Sequence, residues 1–387
     1  MRKLSEQFIS IHLKLPLELQ TLKLNAMYST TKLKEEVRES NQLYVGLDVH
    51  KIKWSVCIRT AEFEHRTFQQ SADPEILHDY LQKNFRNYKV TIGYEAGCFG
   101  FWISRRLQEK GYVCQVLNAA DIPGSDKESK RKSDHSDCRK IARELSKGSV
   151  QGIHQPGKDR EAFRCMFRQR ETLVIDLRKA KGRIRSMLSC HGITCPQEYE
   201  RNTWSRAFRK WLEELQFEHF TLRSALDSQL RRLDFIRKEI LGLELELRHY
   251  VKTHLKEDYS ILISIPGIGP IVAQAVLAEI GDVRRFKNTD QLCGFIGLVP
   301  NIYQSGDTMI VSGLTKRSNH LLRSYLVESA WFVVRRDPEM MAYYKKYSGK
   351  LLHKKIIVKV ARKLIVRMYY CLKTNQPYKI NHNQKEN

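Results

Sequence analysis

Alternation of apolar and polar side chains predicts a small mixed sheet in the first half of this chain. Five stretches have the period-two pattern of strands, namely 43–50, 53–59, 64–69, 90–95 and 112–117. Two stretches with helical spacing, 74–84 and 101–110, separate the last three strands, and Gly111 closes the second. The short connections between the first three strands favour antiparallel hairpins. The predicted order is three strands, a helix, a strand, a helix and a strand.

Two longer helical patterns follow the predicted sheet. Residues 159–191 form an Arg-rich stretch with apolar side chains on one side, and its basic face fits either nucleic acid or a salt-bridged surface. Residues 222–250 repeat in sevens: Leu222, Gln229, Ile236, Leu243 and Tyr250 alternate with Leu226, Leu233, Ile240 and Leu247. This seam predicts a coiled coil of about four heptads. Pairing between two chains is the favoured interpretation, and a helical hairpin within one chain is the alternative.

The last third of the chain predicts a helical domain. The IPGIGP turn, which contains Gly267 and Gly269, is similar to the turn of a helix-hairpin-helix, whose backbone amides bind phosphate without reading sequence. A basic amphipathic helix follows, and the polar residues after Asn375 are expected to fray. The pattern divides the chain into a poorly ordered arm at 1–42, an α/β domain at 43–158, long helices at 159–257, a C-terminal domain at 258–374 and a tail at 375–387.

Charge narrows the possible partners. The 387 residues include 67 Lys and Arg against 43 Asp and Glu, which gives a net charge of +24 and a pI near 9.6. Since Lys and Arg supply most non-specific nucleic-acid affinity, a nucleic acid is the expected partner and an acidic membrane surface is the rival. No run approaches the ~20 apolar residues of a spanning helix. Nine scattered cysteines without a CxxC pair argue against a zinc site or a disulfide framework and favour a cytoplasmic protein.

Four carboxylates stand out against this basic background. Asp48 lies near the end of the first predicted strand and Glu95 ends the fourth, while Asp134 and Asp137 are three apart in a helical segment and share a face. Ligands bind at the carboxyl ends of parallel strands, and clustered carboxylates hold Mg²⁺ or Mn²⁺ for phosphodiester chemistry. A turn-forming Asp and a solvated helix face are the alternatives. We expect the four acids to be catalytic and to bind metal.

A basic loop precedes the two helical aspartates. Lys130, Arg131 and Lys132 fall near the predicted acid site, where they can hold a phosphate backbone, and a solvated loop is the alternative. The order of strands and helices up to this point is that of the ribonuclease H-like fold. In that fold, acids at the end of the first strand, on the fourth strand and on the last helix form a two-metal site. The four acids of this chain fall at those places.

Two sets of short sequence motifs indicate a particular protein family. The first set, around the acids, is GLDVHK, GYEA and SDxxD, and the second is IPGIGP, GLVPxxxxSG and TKRSNxxLR. Together they resemble the DEDD transposases of bacterial insertion sequences typified by insertion sequence 110 and the related 1111 group, over roughly 43–372. The resemblance implies an α/β ribonuclease H-like, resolvase-like N-terminal domain, a helical coiled-coil linker and a mainly α C-terminal transposase domain.

The resemblance also implies chemistry and partners. It assigns the serine nucleophile to Ser305 in the SG motif, with Ser312 and Ser318 as neighbouring candidates. Three cations of the last motif would bind phosphate: Lys316, Arg317 and Arg323. Further implications are donor and target DNA, an element-encoded guide RNA, and a homodimer that assembles to a tetramer. The location implied is the cytoplasm of a bacterium, in association with the nucleoid.

The residues leave two alternatives open. A metal-dependent Holliday-junction-type endonuclease, or a site-specific DNA invertase, would also use the acids, and hydrolysis by the metal site alone would not need Ser305. A non-catalytic basic nucleic-acid-binding protein would use the acids structurally. The leading hypothesis is a DNA transposase that cuts and rejoins DNA by transesterification and requires both Asp48 and Ser305.

Overall fold

The computed structural model describes residues 41–123, 134–200, 204–305 and 308–380, with side chains throughout except at 134, 135, 200, 302–305 and 308–312. The predicted arm at 1–42 therefore lies outside the described residues, except for its last two. The chain divides into two compact units, 1–155 and 156–387. The finer boundaries predicted at 158 and 257 stay predictions.

The first unit is built on a five-stranded sheet. Its strands are β1 (Gln42–Val49), β2 (Lys53–Arg59), β3 (Glu64–Ser71), β4 (Lys89–Glu95) and β5 (Val113–Leu117). The spatial order is β3-β2-β1-β4-β5, in which β1 pairs antiparallel with β2 and parallel with β4. The antiparallel hairpins among the first three strands are therefore present as the alternating pattern predicts.

Helices cover both faces of this sheet. They are α1 (Pro74–Asn84), α2 (Trp102–Glu109) and α3 (Asp134–Ser146). Leu43 and Leu47 of β1 are fully buried on one face, in the same apolar cluster as Leu77 of α1 and Leu107 of α2. Because side chains alternate along a strand, positions 44, 46 and 48 point to the other face, where α3 packs. Gly46 is one of those residues.

Gly46 allows α3 to approach the sheet at backbone distance. A Cβ at this position would lie 2.0 Å from the carbonyl oxygen of Cys138 and 2.6 Å from the nitrogen of Ala142. Gly93, its register partner on β4, faces the side chain of Leu145 in the same way, at 2.7 Å from Cδ1. Because these two neighbouring glycines have no side chains, the helix can lie close to the backbone of both strands.

The second unit is mainly helical. Its helices are α4 (Lys158–Cys190), α5 (Gln197–Glu200), α6 (Arg206–Glu214), α7 (Phe220–His254), α8 (Lys256–Ser264), α9 (Pro270–Ile280), α10 (Thr289–Ile296), α11 (His320–Arg336), α12 (Pro338–Tyr347) and α13 (His353–Thr374). One two-stranded hairpin, β6 (Pro300–Ser305) with β7 (Thr308–Leu314), separates α10 from α11. No helix in the described ranges combines the length and apolar character that a membrane span requires.

The heptad seam of α7 packs against α4 of the same chain. Phe163 of α4 stacks on Tyr250 of α7 with ring centroids 4.8 Å apart. At the other end of both helices, Leu188 of α4 shares an apolar cluster with Leu226 and Leu230 of α7. The two helices therefore run antiparallel, and the seam is used within the chain. The preference for pairing of this seam between two chains is therefore wrong, because α4 of the same chain already covers the apolar stripe. Dimerisation of the protein stays a prediction.

The segment after α13 is anchored at Tyr378. Its hydroxyl donates to Oδ2 of Asp337 at 2.7 Å, and its backbone nitrogen donates to Oγ of Ser264 at 2.8 Å. The expectation that residues after Asn375 fray is therefore wrong up to this tyrosine, because an aromatic side chain finds both an apolar contact and a buried acceptor there.

A buried carboxylate joins three helices of the second unit. Glu279 of α9 is 1% exposed and accepts from Arg168 of α4 through two hydrogen bonds, at 2.7 and 2.8 Å. Asn319, the N-cap of α11, donates to the same carboxylate at 2.7 Å. Burial alone would raise the pKa of Glu279, but the hydrogen bonds and charge of Arg168 outweigh it and hold the pKa below its ordinary value of 4.5.

The substitution Gly46→Ala should destabilise the first unit by about 1–3 kcal/mol, the range for overpacking a tight contact. The added Cβ would overlap backbone atoms of α3, which cannot rotate away. The matched control is Gly93→Ala, where the obstructing atom is the end of a leucine side chain that can change rotamer. Urea unfolding and hydrogen exchange of the α3 amides measure the effect. Equal stability of the two variants would contradict the backbone contact.

The substitution Arg168→Met should destabilise the second unit more than Glu279→Gln. The Arg168 side chain is 58% exposed and can turn to water when its partner is lost, whereas the Glu279 side chain is 1% exposed and cannot. We expect a loss of about 2–4 kcal/mol for Arg168→Met, reduced by solvent screening, and about 1–2 kcal/mol for Glu279→Gln. Urea unfolding of both single variants and the double variant tests the order.

The difference in the free energy of unfolding between wild type and Glu279→Gln should depend on pH, and the direction of the pKa shift gives its sign. The pKa of Glu279 is lower in the folded protein than its ordinary value of 4.5. The stability that its ionised form provides is therefore complete above that value and is lost as the pH falls through the folded pKa. The difference between wild type and Glu279→Gln should shrink in acid, and a difference that grows there would contradict the ion pair.

Candidate active site

Asp48 and Glu95 lie at the carboxyl ends of two adjacent parallel strands. The register pairs Leu47 of β1 with Tyr94 of β4, so the next residue of each strand is one of the two acids. Both acids follow the alternation of Gly46 and Gly93 and therefore belong to the face that α3 covers. The sequence prediction of two carboxylates at one sheet edge agrees with this placement.

Helix α3 runs with its N-terminal half toward Asp48. Ile141 and Leu145, in the second half of the helix, share an apolar cluster with Tyr44, which lies before Gly46 on β1. Cys138 is close enough to Asp48 for the carboxylate charge to affect its thiol. The N-terminal half, where Asp137 is half-buried, therefore lies toward the end of the strand.

Asp134 and Asp137 occupy the start of α3, at helical positions in register with its buried stripe. Asp137 is one turn before Ile141, and Asp134 is one turn before Cys138, so each is placed on the side of the helix that faces the sheet. The backbone of Asp134 is described, and its side chain lies outside the described residues. The basic residues predicted to lie nearby, Lys130, Arg131 and Lys132, are also outside them.

Two cysteines beside the candidate acids have buried thiols. Cys57 of β2 and Cys138 of α3 are 1% and 0% exposed and share a cluster with Ala142. Burial, followed by the charges of Cys57 and Asp48, raises the pKa of Cys138 to about 12. The Cys138 thiol therefore stays protonated at neutral pH and adds no negative charge to the carboxylates.

His50 is a partner of Asp48 that the sequence analysis quoted in a motif but did not assign. Its Nε2 lies 3.2 Å from Oδ2 of Asp48, and its side chain is 57% exposed. A cavity of about 490 Å³ opens at the same turn and is lined by His50, Lys51, Ile52, Lys53, Ser55 and Gln69. Two lysines at the rim of a cavity next to an acid pair suit a polyanionic substrate.

The donor set has the chemistry that a hard divalent cation prefers. Carboxylate oxygens come from two strand ends and from a helix that covers them. Among the described residues, no three His, Cys, Asp or Glu side chains stand close enough together to hold a metal ion. The side chain of Asp134 is not among those residues.

The predicted nucleophile lies in the hairpin of the second unit. Ser305 is the last residue of β6 and pairs with Thr308 across the turn, whereas Ser312 is inside β7 opposite Asn301. The side chains of both serines lie outside the described residues. Ser318, the third candidate, is half-buried, and its Oγ lies 3.4 Å from Nδ1 of His320.

Arg323, one of the three predicted phosphate-binding cations, is hydrogen-bonded within the chain. Its guanidinium donates to the carbonyl oxygens of Gly297 at 3.3 Å and Thr315 at 3.0 Å. These bonds attach both the entry and the exit of the hairpin to α11. Lys316 and Arg317 are exposed in the segment before α11. Phosphate binding by the three stays a prediction.

The two predicted glycines of the IPGIGP turn differ in their surroundings. Gly267 has a φ of +86°, and a Cβ there would lie 2.9 Å from the carbonyl oxygen of Ser329 in α11. Gly269 is the N-cap of α9 and has open space beside it. Both line a cavity of about 300 Å³. Gly267 thus serves packing as well as turn geometry, and phosphate binding by the amides stays a prediction.

The sequence analysis missed the residues that hold the last motif in place. Asn319 of TKRSNxxLR caps α11 through its Oδ1, which accepts from the nitrogen of Leu322 at 3.0 Å, and it also binds the buried Glu279. The available signal was a single acid in the apolar run IVAQAVLAEI. A lone carboxylate in a buried helix requires a partner, and the Arg-rich α4 provides it.

Two family sequence models match this chain, and the first of them extends from the first unit through α4 of the second. Residues 45–192 match the DEDD transposase model of IS110 elements, which includes all four candidate acids. Residues 259–345 match the model of the transposase IS116/IS110/IS902 family, which includes the IPGIGP turn and the three candidate serines. The family generally uses divalent metal ions.

Relatives with curated names agree with these matches. A Sinorhizobium fredii protein with a transposase name is 27% identical over 301 residues, 76% of this chain and 73% of the relative. The transposase for insertion sequence element IS1111A of Coxiella burnetii is 28% identical over 53% of this chain and 55% of its own length. The pilin gene-inverting protein of Moraxella bovis is 32% identical over 127 residues, 32% of this chain and 39% of the relative. The chain therefore belongs to the IS116/IS110/IS902 transposase family and is a DNA transposase or recombinase.

Proposed function

We propose that the protein cuts and rejoins DNA through a carboxylate site in the first unit and the Ser305 hydroxyl in the second. The observation that carries the proposal is the placement of Asp48 and Glu95 at adjacent strand ends, on the face that α3 covers. Asp134 and Asp137 are on the first turn of α3, the helix that packs on this face. Four acids drawn from three elements of a strongly basic chain are difficult to explain as solvated surface.

The first unit adopts a ribonuclease H-like fold in this proposal. The strand order β3-β2-β1-β4-β5, with one antiparallel half and one parallel half, supports it. The helix that follows the last strand and covers β1 supports it as well. In such a fold the strand ends of β1 and β4 face the last helix, which is the arrangement that the acids need.

The four carboxylates would hold Mg²⁺ or Mn²⁺, with Asp48 and Glu95 supplied by the sheet and Asp134 and Asp137 by α3. When bound, such a cation stabilises negative charge on a phosphodiester under attack. His50 would fix the rotamer of Asp48 through its 3.2 Å contact with Oδ2. The buried thiol of Cys138 would keep water away from the back of the site.

Ser305 would act as the nucleophile of a transesterification. Its Oγ attacks a DNA phosphorus, an Oγ–P bond forms and a phosphodiester P–O bond breaks. The serine proton passes to a base, and the released DNA hydroxyl takes up a proton. A second DNA hydroxyl then attacks the phosphoserine and frees the serine, so the number of phosphodiester bonds is unchanged. The position of Ser305 at a hairpin turn, where a backbone can approach DNA, supports this role.

We infer three further properties from the family. A guide RNA encoded by the element would select donor and target DNA, and the net charge of +24 suits binding of both nucleic acids. A homodimer assembling to a tetramer would bring acids and serines from different copies together. The protein would act in the cytoplasm, in association with the nucleoid.

Inversion of a DNA segment at a fixed locus is the second candidate function. The similarity to the pilin gene-inverting protein of Moraxella bovis favours it over hydrolysis. Inversion uses the same transesterification but both DNA sites lie in one molecule. A plasmid that carries two sites in inverted orientation, beside one that carries a single site and a separate target, distinguishes the two functions by their products.

The first test is trapping of a covalent protein–DNA adduct on a denaturing gel, with Mg²⁺, junction DNA and co-expressed RNA. Wild type should give an adduct, and both Ser305→Ala and Asp48→Asn should lower its yield at least about 100-fold, as expected for lost catalytic groups. Ser312→Ala is the matched control in the same hairpin and should retain the adduct.

Two results would contradict this proposal. Loss of the adduct in Ser312→Ala or Ser318→Ala, with Ser305→Ala active, would move the nucleophile to that serine. Cutting without any adduct, equal in wild type and Ser305→Ala, would replace transesterification with metal-dependent hydrolysis.

Binding of Mg²⁺ should raise the melting temperature of the wild-type protein. A ligand at a hundredfold excess over its Kd stabilises the folded state by about 2.7 kcal/mol. Glu95→Gln and Asp137→Asn should each lose most of this shift, because each removes a negative ligand. Asp79→Asn in α1, on the other face of the sheet, is the matched control and should keep it. An unchanged shift in both site variants would contradict the acid site.

A further inference from the structure

Half of the net positive charge of this chain is concentrated near its C-terminus. Residues 340–385 contain ten lysines, two arginines and no aspartate or glutamate, hence a charge of +12 against +24 for the whole chain. This run of 46 residues contains no acid of its own, so any acid that pairs with its cations must come from another part of the chain. Its described part comprises the end of α12, α13 and the short segment after it.

The geometry of α12 and α13 holds two of these lysines in fixed directions. Nζ of Lys359 lies 4.8 Å from the ring centroid of Tyr347, and Nζ of Lys363 lies 4.7 Å from that of Tyr343. The two tyrosines are one turn apart on α12, and their rings meet edge to face at 5.3 Å. Cation–π contact reduces the freedom of the lysine stems, so the ammonium groups are presented in place.

Six lysines of this run are exposed, and one of them, Lys359, contacts the aromatic pair. They are Lys345, Lys346, Lys350, Lys354, Lys355 and Lys359, which we call the lysine face. Within the described ranges, none of the six forms an ion pair with a carboxylate. Two other cations of the run are paired, since Lys363 binds Glu339 and Arg362 binds Asp290. Lys355 and Lys359 are one turn apart and point the same way from α13.

We propose that the lysine face binds the sugar-phosphate backbone of duplex DNA without reading its sequence. Lysine is a compact point charge that contacts phosphate, and the six residues include no bidentate arginine of the kind that reads base edges. The rings of Tyr343 and Tyr347 are covered by lysines and by each other, so they do not form the open stacking platform that single strands use.

This inference rests on the proposed function for the identity of its partner, because a DNA recombinase must hold a duplex beside its reactive groups. It adds a surface that the family match does not cover. The match to the IS116/IS110/IS902 family ends at residue 345, so five of the six lysines lie beyond it. The lysine face also contains none of the proposed catalytic residues.

The test measures the salt dependence of binding to a fluorescent duplex of scrambled sequence, with full-length protein and without RNA or Mg²⁺. Each lost phosphate contact reduces the slope of log K against log salt by about 0.9 for duplex DNA. The variant Lys355→Gln/Lys359→Gln should therefore reduce the slope by about 1.8 and weaken binding equally for different duplex sequences. Lys355→Arg/Lys359→Arg should restore the slope.

The matched control removes the same charge elsewhere. Lys83 and Lys89 of the first unit are exposed lysines, and Lys83→Gln/Lys89→Gln should leave the slope unchanged. Ser305→Ala is used as the background for all variants, so binding is measured without strand exchange. If the adduct test fails and the slope still falls, the lysine face stands without the proposed mechanism; if the adduct forms and the slope does not fall, only the lysine face is lost.

Three outcomes would overturn the inference. One is a slope equal to that of the Lys83→Gln/Lys89→Gln control in a variant that keeps its melting temperature. Another is a loss confined to single-stranded DNA, which would assign the face to single strands. The last is unchanged duplex binding together with lost binding to phosphatidylserine vesicles, which would assign the face to an acidic membrane.

Discussion

The contact between the backbones of α3 and β1 at Gly46 is the constraint on which the acid site depends. A carbonyl oxygen and an amide nitrogen of the helix occupy the space that a Cβ would fill. At this separation α3 can neither slide nor rotate without a clash, so its N-terminal half is held toward the end of β1. The glycine in GLDVHK is therefore as much a part of the site as the aspartate that follows by two residues.

The second unit also holds a sequence motif in a fixed position, but by a different kind of contact. Its last motif is positioned by a buried carboxylate rather than by a missing side chain. Glu279 accepts from α4 and from the N-cap of α11, so a single residue fixes the relation of three helices. Arg164 and Arg285 also donate to carbonyl oxygens at the end of α9, at 3.0 and 3.2 Å. Cations at a helix C-terminus compensate its negative dipole end.

Sequence periodicity predicted most of the elements and the placement of two acids, because it reports which face of a strand or helix is buried. It does not report what covers that face. The seam of α7 could be recognised from its heptads, but its partner α4 could not, since a helix of the same chain and a second copy bury the same stripe. The anchoring of Tyr378 and the pairing of Glu279 likewise depend on residues more than 30 positions away. The Arg323 contacts were unexpected because a motif arginine has the same appearance whether it binds phosphate or a carbonyl oxygen.

Because α4 and α7 pair antiparallel, the end of α7 lies beside the start of α4. Helix α4 has 33 residues and α7 has 35, so each spans about 50 Å at 1.5 Å per residue. Phe163 and Tyr250 meet at the base of this pair, next to the core that α8 and α9 share. Adding or removing whole turns at the far end would change the length of the α4–α7 pair but leave its base unchanged. The length of the α4–α7 pair can therefore change without a change in the packing at its base.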